Sequence, residues 1–434
     1  MLDFIKKPLD FALCNGLHQV IVAVICLTCW GVGAQSKPDT GQLLNNLPQQ
    51  GGRFTEPNRK KDSPQRQYPS SLAPTDPATD AMAEEAQLSF VVNGLQFEGN
   101  TVFDAQTLTA LATISWGSAF TLAELEEKMA NITEHYRRAG YPLARAHLPA
   151  QVVEDGVVRV VVTEPQWGQV VLDNQSAIKD EVIVRTAHGI RPGVLIHSKD
   201  IESTSIFLTG LSGATLSSKL SPGATQGTTD LVIQAQPGPS MSSSLTTDNF
   251  GSRYTGKERT GAYFSWNNPL RSADVFSLNL LSSGSLLNYQ QIGYELPVLL
   301  PGASTGASVT HMQYQLGNGA EALMAHGHLK QFSPWVQYVF LASDDAKSDV
   351  RVQYEASEFN DQQDNIGSNN NRHMSKWSVS LNLEQSDDGG NAGLTQFNAS
   401  VSMGRLFFND AIALANDAAT AQTAGEFAKV NLRA

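Results

Sequence analysis

The sequence predicts two small α+β domains followed by an incomplete antiparallel transmembrane β-barrel. First, one order of elements, β-α-α-β-β, occurs twice between residues 88 and 238. Second, alternation of apolar and polar residues with period two replaces helical periodicity after Ser240. Third, a chain of 434 residues that is 41% hydrophobic and only 17% charged, with 35 Gly, is too polar for a helical membrane protein and too poor in charge for an ordinary cytosolic enzyme.

Residues 1–34 predict a signal peptide for export. Lys6 and Lys7 precede an apolar run from Val20 to Val32, and a small-residue cleavage site ends at Ala34. An uncleaved anchor helix is the alternative, although the run is shorter than the ~20 residues of a comfortable membrane span. All three cysteines of the chain lie in this segment: Cys14, Cys26 and Cys29. The rest of the chain therefore cannot form a disulfide framework or a cysteine-ligated metal site.

Residues 35–87 predict an extended linker, because they are rich in Pro, Gln, Ser and Asp and too poor in apolar residues to fold alone. One stretch within it, Thr40 to Leu47, is a candidate for a short plug helix. Three leucines would share one face of that helix: Leu43, Leu44 and Leu47. Disordered linker is the alternative reading of the same stretch.

Residues 88–165 and 166–238 predict the two α+β domains, each with its helices on one face of a three-stranded sheet. In the first, Thr121 and Glu124 have the spacing of a capping box that opens a long helix. The predicted elements of the first domain are a strand Leu88 to Phe97, a helix from Asp104, a helix Thr121 to Ala139, and strands Leu143 to Leu148 and Val157 to Val162. Those of the second are a strand Gln169 to Leu172, helices Asp180 to His188 and Ser198 to Leu211, and strands Ala214 to Leu220 and Thr229 to Gln234.

Residues 239–434 predict about nine to ten barrel strands. Trp377, Val379 and Leu381, for example, alternate with Ser378 and Ser380, which suits a strand between lipid and a polar lumen. A soluble β-sandwich would alternate in the same way and is the alternative. The last predicted strand runs to the final residue, and an open edge in hydrocarbon leaves backbone groups unpaired. We therefore expect a truncated gene product or a fragment.

Other function classes find no support in the sequence. A net charge of -12 without a basic stripe argues against nucleic acid as the main partner. The histidines lack the spacings of a zinc site, and no P-loop, nucleophile elbow or cysteine nucleophile occurs in the mature chain. We therefore expect no catalytic residue, no metal, no cofactor and no enzyme activity.

Short motifs in a fixed order carry a family resemblance. They include Phe97-Glu-Gly-Asn-Thr-Val-Phe103, Gly140-Tyr141, Leu220-Ser-Pro-Gly223, Asp248-Asn-Phe-Gly-Ser-Arg253 and Asn268-Pro269. In this order the chain resembles the two-partner-secretion transporters, the TpsB or haemolysin secretion/activation family. The resemblance implies a plug helix, a linker, two POTRA domains in the periplasm and a sixteen-stranded outer-membrane barrel. The family's Val-Arg-Gly-Tyr-type motif on a lumenal loop does not occur in this sequence.

The resemblance also implies candidate site residues. An unfolded partner would add as a strand to a POTRA sheet edge and contact the neighbouring helix. The residues that would bind it are Leu143, Arg145, His147, Leu148, Glu124 and Lys128 in the first domain and Thr215 and Ser217 in the second. The family's motif at the start of the barrel corresponds to Asp248, Asn249, Gly251, Arg253, Gly256 and Arg259. The structural alternatives are strands paired on both sides, and a turn with Arg253 in a lumenal ion pair.

As for function, the resemblance implies an outer-membrane transporter of a Gram-negative bacterium that exports a TpsA-like haemolysin or adhesin through its barrel. Its other expected partners are outer-membrane lipid, the barrel-assembly machinery and periplasmic chaperones, with no nucleic acid. Three alternatives stay open at this point. They are an insertase of the same superfamily, a non-transporting adhesin or receptor, and a non-functional truncated remnant.

Overall fold

The computed structural model of the protein describes Thr40, Leu43 and residues 89–187, 189–343, 345–386 and 393–434. The predicted signal peptide, most of the linker, Leu44, Leu47, Leu88 and His188 lie outside the described residues. Thr40 and Leu43 have helical backbone conformation. Among the described residues, no helix is long and apolar enough to cross a membrane.

The first domain is an α+β unit whose helices cover one face of a small sheet. Its elements are β1 (Ser89–Val92), β2 (Gly94–Glu98), α1 (Ala105–Ala112), β3 (Ser118–Thr121), α2 (Leu122–Arg138), β4 (Arg145–His147) and β5 (Val157–Thr163). The sheet order is β2-β5-β4, with β2 parallel and β4 antiparallel to β5. Met129, Ile132 and Tyr136 of α2 are buried in the core that joins helix to sheet. Thr121 and Glu124 form the predicted capping box at the start of α2.

Three elements of the first domain differ from the prediction. The single strand expected from Leu88 to Phe97 is divided into β1 and β2, because the amides of Asn93 and Gly94 both turn toward the Gly156 carbonyl oxygen. β1 then pairs with β3 in a separate two-stranded sheet. β3 was not predicted, since a four-residue strand next to a helix has no detectable alternation. The strand expected from residue 143 to 148 is reduced to β4 because Ala144 closes a turn onto Tyr141.

The second domain repeats the plan with a longer sheet. Its elements are β6 (Gln166–Asn174), α3 (Asp180–Thr186), α4 (Ser198–Thr209), β7 (Ala214–Pro222) and β8 (Thr228–Pro237). The sheet order is β6-β8-β7, with β6 parallel and β7 antiparallel to β8. Trp167, Ile183, Leu208 and Ile233 are among the largest fully buried side chains, so both helices pack on one face of the sheet.

The two domains and the next part of the chain are joined by direct contacts. The Ser198 amide at the start of α4 donates to the Gly140 carbonyl oxygen at 2.9 Å, and Leu143 packs against the second-domain core. On the other side, the Lys179 amide donates to the Arg271 carbonyl oxygen at 3.0 Å, and Ala273 is buried in the same core. The second domain therefore lies between the first domain and the large sheet that follows.

This large sheet, the barrel sheet, has ten antiparallel strands in chain order among the described residues. They are β9 (Met241–Asp248), β10 (Arg259–Asn267), β11 (Val275–Ser282), β12 (Leu287–Pro297), β13 (Ala303–Gln315), β14 (Ala325–Ala342), β15 (Ala346–Gln363), β16 (Ser368–Ser386), β17 (Leu394–Phe408) and β18 (Gly425–Arg433). An unpredicted helix, α5 (Ala411–Ala419), connects the last two. β9 and β18 are the edges of the described sheet, which is the arrangement of an open, incomplete barrel. The end of the barrel sheet that contacts the second domain is here called the domain end, and the opposite end is called the distal end.

Candidate functional site: sheet edges and the polar face of the barrel sheet

The first predicted partner-binding strand, β4, lies at the edge of its sheet in the described structure, but it is short. Only Arg145 to His147 pair with β5. The backbone amide of Ala146 donates to the Thr133 side-chain oxygen of α2 at 3.1 Å. Because this amide is already bonded, β4 has little free backbone to offer to an added strand.

The structure separates the predicted residues around β4. Arg145 is exposed and His147 is half-buried on the strand itself. Leu148 packs in the core of the first domain, and Leu143 packs against the core of the second. Both leucines therefore have packing partners within the chain.

Glu124 and Lys128 lie toward the start of α2. The pKa of the Glu124 carboxyl is lowered mainly by the hydrogen bond that the Thr121 amide donates, and less by the one that the Thr121 hydroxyl donates. A helix rises about 1.5 Å per residue, so Glu124 lies about 13 Å and Lys128 about 7 Å along the axis from Thr133, the contact with β4. The next residue, Leu125, is buried in a cluster against which Leu148 packs, so the start of α2 lies near the end of the predicted strand.

The second predicted edge, β7, is three times as long as β4. All of its nine residues pair with β8 on one side, and in the described residues no strand pairs with its other side. Thr215 and Ser217 are exposed, whereas Leu216 between them is buried in the second-domain core. α4 packs beside β7, so exposed strand edge and helix lie next to each other.

The barrel sheet has one apolar and one polar face. On the first, Trp377 is opposite Met403 and Val379 is opposite Val401. On the second, the Ser378 and Ser402 hydroxyls are 3.0 Å apart, and the next positions along the strands continue with polar pairs. Large side chains of the apolar face are exposed, with Trp377 at 59%. This face fits lipid, whereas the polar face fits a water-filled lumen.

Charges on the polar face are paired across neighbouring strands. Toward the distal end Arg372 of β16 binds Asp361 of β15. Four residues further along β16, Lys376 Nζ lies 2.5 Å from an oxygen of Glu355 on β15. Nearer the domain end the Arg351 guanidinium lies 3.9 Å from the centre of the Trp335 ring. Both of these ion pairs bring a positive and a negative side chain together on the polar face.

The predicted plug segment contacts this polar face at its distal end. The Thr40 amide donates to Asp361 Oδ1 at 3.2 Å, and the Thr40 hydroxyl bonds the same oxygen. The Tyr314 hydroxyl also donates to Asp361, at 2.7 Å. Leu43 is only 3% exposed, because it packs into an apolar cluster of barrel-sheet side chains. That cluster includes Leu287, Met312, Leu329 and Phe359.

The motif at the start of the barrel forms a closed loop at the distal end. Asp248 and Arg259 face each other across β9 and β10 in a bidentate ion pair, with oxygen–nitrogen distances of 2.9 and 3.1 Å. The Gly251 amide donates to the Lys257 carbonyl oxygen at 2.9 Å, so the two backbone segments lie close together. Gly256 has a φ of 93°, which favours glycine.

Asn249 and Arg253 are exposed in this loop. Among the described residues, the ion pair at this motif joins Asp248 to Arg259, and the lumenal ion pair expected for Arg253 stays a prediction. The physical reason is register, since Arg259 is the residue directly opposite Asp248. Sequence spacing alone does not reveal which arginine has that position.

Sequence reasoning did not single out three charged residues of the polar face. Asp361, Glu355 and Lys376 carry no local motif, and only the strand register and the side-chain contacts reveal their partners. Within the described ranges, no group of three or more His, Cys, Asp or Glu side chains is placed to hold a metal ion.

Family models match most of the folded chain. The model of the POTRA domain, ShlB-type, matches residues 90–165. The model of the haemolysin secretion/activation protein ShlB/FhaC/HecB matches residues 227–434. These two matches include the first domain, the last strand of the second domain and the whole barrel sheet.

Curated relatives agree with the family models. The chain is 24% identical over 378 residues to the heme/hemopexin transporter protein HuxB of Haemophilus influenzae strain 86-028NP, a match that covers 86% of this chain and 65% of HuxB. It is 26% identical over 265 residues to the outer membrane transporter CdiB of Escherichia coli O6:K15:H31, which covers 59% of this chain and 44% of CdiB. The chain thus spans somewhat less than two thirds of the length of HuxB and less than half of that of CdiB.

Solved structures show the same fold. CdiB from Escherichia coli superposes with a TM-score of 0.59 at 21% identity, covering 76% of this chain and 61% of CdiB. CdiB from Acinetobacter baumannii superposes with a TM-score of 0.51 at 17% identity, covering 74% and 62%. The two family models and the curated relatives agree: residues 90–165 match a POTRA domain of the ShlB type, and residues 227–434 belong to the haemolysin secretion/activation family ShlB/FhaC/HecB.

Proposed function

We propose that this protein recognises an unfolded exoprotein in the periplasm through its two POTRA domains and exports it through an outer-membrane barrel. One observation carries the proposal: a ten-stranded sheet with a polar, ion-paired face and an apolar, exposed face directly follows two domains with edge strands. The protein lies in the outer membrane, with the POTRA domains on its periplasmic side. The domain end of the barrel sheet is then the periplasmic end.

Recognition of the exoprotein occurs mainly at β7. An added strand needs free backbone donors and acceptors along several residues, and the nine residues of β7 supply more of them than β4 does. Thr215 and Ser217 would stand beside the added strand, and α4 would form the wall of the groove. The Thr133 contact with Ala146 makes β4 the weaker of the two edges.

Passage of the exoprotein follows the polar face. Paired charges such as Lys376 with Glu355 give an unfolded chain of either sign no strongly attractive site at which to stop. A sealed pore also requires partners for the edges of β9 and β18, because unpaired backbone in hydrocarbon costs several kcal/mol per group. The family's sixteen-stranded barrel would provide this closure.

The segment around Thr40 and Leu43 acts as the plug. Its contacts with Asp361 and with the apolar cluster hold it on the polar face in the resting state. Export requires it to leave, since segment and exoprotein would use the same space. These contacts support a secretion transporter over an insertase of the same superfamily, for which no plug is expected.

The partners are proposed by class. HuxB is named for heme/hemopexin transport and CdiB as an outer membrane transporter, and both resemblances support a secreted protein as cargo. Outer-membrane lipid, the barrel-assembly machinery and periplasmic chaperones are the remaining partners. The transporter performs no chemical step and needs no metal or cofactor.

Site-specific photo-crosslinking tests the proposal. A benzophenone side chain is placed at position 217 of the full chain, in outer-membrane fragments, and the denatured N-terminal segment of an exoprotein secreted by a two-partner system is added. The matched control carries the same group at Val171, which is 45% exposed on β6 at the opposite edge of the same sheet. We expect a crosslink from position 217 and not from position 171. Equal yields, or none from either position, would contradict recognition at β7.

A further inference from the structure

The turn between β12 and β13 has an unusual composition for the periplasmic end of a barrel. It consists of Val298-Leu-Leu-Pro-Gly302, here called the leucine turn. Leu299 is 77% exposed and Leu300 is 65% exposed in the described structure. Turns that face water are usually built from Gly, Asn, Asp, Ser and Pro, because these residues adopt turn conformations at little cost or bond to the backbone of the turn. The β14–β15 turn at the same end follows that rule with Ser343-Asp-Asp345.

The leucine turn continues the lipid-facing surface of the barrel sheet. On β14 this surface extends down to Tyr338 and Phe340, which are 43% and 50% exposed. Ala303 is opposite Tyr338, and the Val339 amide donates to the Gly302 carbonyl oxygen at 2.9 Å. β12 ends at Pro297, so it does not extend as far toward the domain end as β14 does. The leucine turn therefore lies where the next lipid-facing residues of β12 would be if that strand continued.

A second exposed leucine lies in the neighbouring turn. Leu270, between β10 and β11, is 64% exposed. Two strand spacings separate the two turns, a distance of about 10 Å. Both turns also touch the second domain: Arg271 Nε donates to the Ala177 carbonyl oxygen at 3.0 Å, and a Cβ at Gly302 would lie 2.8 Å from the Phe207 ring of α4. The exposed leucines thus occur where the second domain meets the barrel sheet.

We infer that the leucine turn and Leu270 insert into the acyl chains of the periplasmic phospholipid leaflet and hold the second domain against the membrane surface. The partner is lipid and not protein, because the leucines extend a surface that already faces hydrocarbon. This lipid contact goes beyond the proposed export function, but it rests on the outer-membrane location of the protein. It fixes the second domain, with its β7 edge, at the mouth of the barrel.

Thiol reactivity in membranes tests the inference. In the full chain with its three native cysteines replaced by serine, single variants Leu299→Cys, Asp345→Cys and Val379→Cys are compared in outer-membrane fragments open on both faces. A water-soluble maleimide is added, and each rate is divided by the rate of the same variant unfolded in urea. Position 345 is the control in water, since Asp345 is exposed in the polar turn, and position 379 is the control in lipid, since Val379 lies on the apolar face.

We expect the thiol at position 299 to react about tenfold or more slowly than that at 345, and as slowly as that at 379, because a thiol in hydrocarbon does not form the reactive thiolate. A fast reaction at 299 with a slow one at 379 would overturn insertion of the turn while leaving the membrane location intact. Fast reactions at both 299 and 379 would overturn the membrane location and, with it, the inference.

Discussion

Glu164 at the end of β5 provides a sharp test of how the first domain is held together. Its carboxylate accepts hydrogen bonds from the amides of Thr101 and Val102 at 2.9 and 3.1 Å, from the Thr101 hydroxyl, and from the Tyr136 hydroxyl of α2 at 2.7 Å. One side chain therefore fastens the loop before α1 to both the sheet and the long helix. We predict that Glu164→Gln loosens this loop.

The magnitude follows from the number of hydrogen bonds and from burial. A hydrogen bond to a charged group stabilises by about 1.5–3 kcal/mol, and Gln retains a neutral acceptor, so for this half-buried carboxylate we expect a loss of about 2 kcal/mol. At 1.4 kcal/mol per factor of ten, local opening becomes about 30-fold more frequent. Hydrogen–deuterium exchange of residues 99–105 in the full chain measures it. Glu127→Gln, on an exposed face of α2, is the matched control.

The pH dependence of the same contact has a definite sign. Partial burial by itself raises the pKa of the Glu164 carboxyl, but the hydrogen bonds from Thr101, Tyr136 and the two amides outweigh it and lower the pKa below its ordinary value. The stabilisation is therefore complete above the ordinary glutamate pKa of about 4.3 and is lost as the pH falls through the lower folded-state pKa. Two results would refute this reasoning. One is an exchange rate in Glu164→Gln less than threefold above that of the unchanged protein, and the other is an exchange rate equal to that in Glu127→Gln.

Three further predictions concern the barrel sheet. Leu43→Ala should reduce the binding free energy of the plug segment on the polar face by about 2–5 kcal/mol, as for other buried leucines. Added protease should then cleave this segment faster in membranes, and an unchanged cleavage rate would contradict the packing of Leu43. Trp377→Arg on the apolar face should cost about 2–4 kcal/mol of folding free energy in urea titrations in lipid, whereas Ser378→Arg on the polar face should cost far less. Arg259→Met should lower the unfolding midpoint, because it leaves Asp248 without its bidentate partner, and addition of Asp248→Asn should restore part of the loss.

Fixed contacts join the second domain to its neighbours on both sides. The Lys179–Arg271 hydrogen bond and the burial of Ala273 link it to the barrel sheet, and the Leu143 contact links it to the first domain. A partner bound at β7 would consequently lie at a defined position beside the barrel. Under the proposed function, this geometry would hold the recognition edge close to the domain end of the barrel sheet.

The sequence by itself determined the order and type of most elements. Alternation along single strands predicted the barrel sheet with its two faces, and the capping box at Thr121 and Glu124 predicted the start of α2. Such features depend on residues within one or two turns of helix or one strand, so a single stretch of sequence contains all the information needed.

Only the tertiary structure decided which residues meet. It pairs β1 with the unpredicted β3, joins Asp248 to Arg259 and not to Arg253, and brings Thr40 to Asp361, 321 residues away in the chain. It also assigns Leu143 to the core of the second domain. These pairings depend on strand register and on packing between distant segments, and periodicity within one segment contains neither.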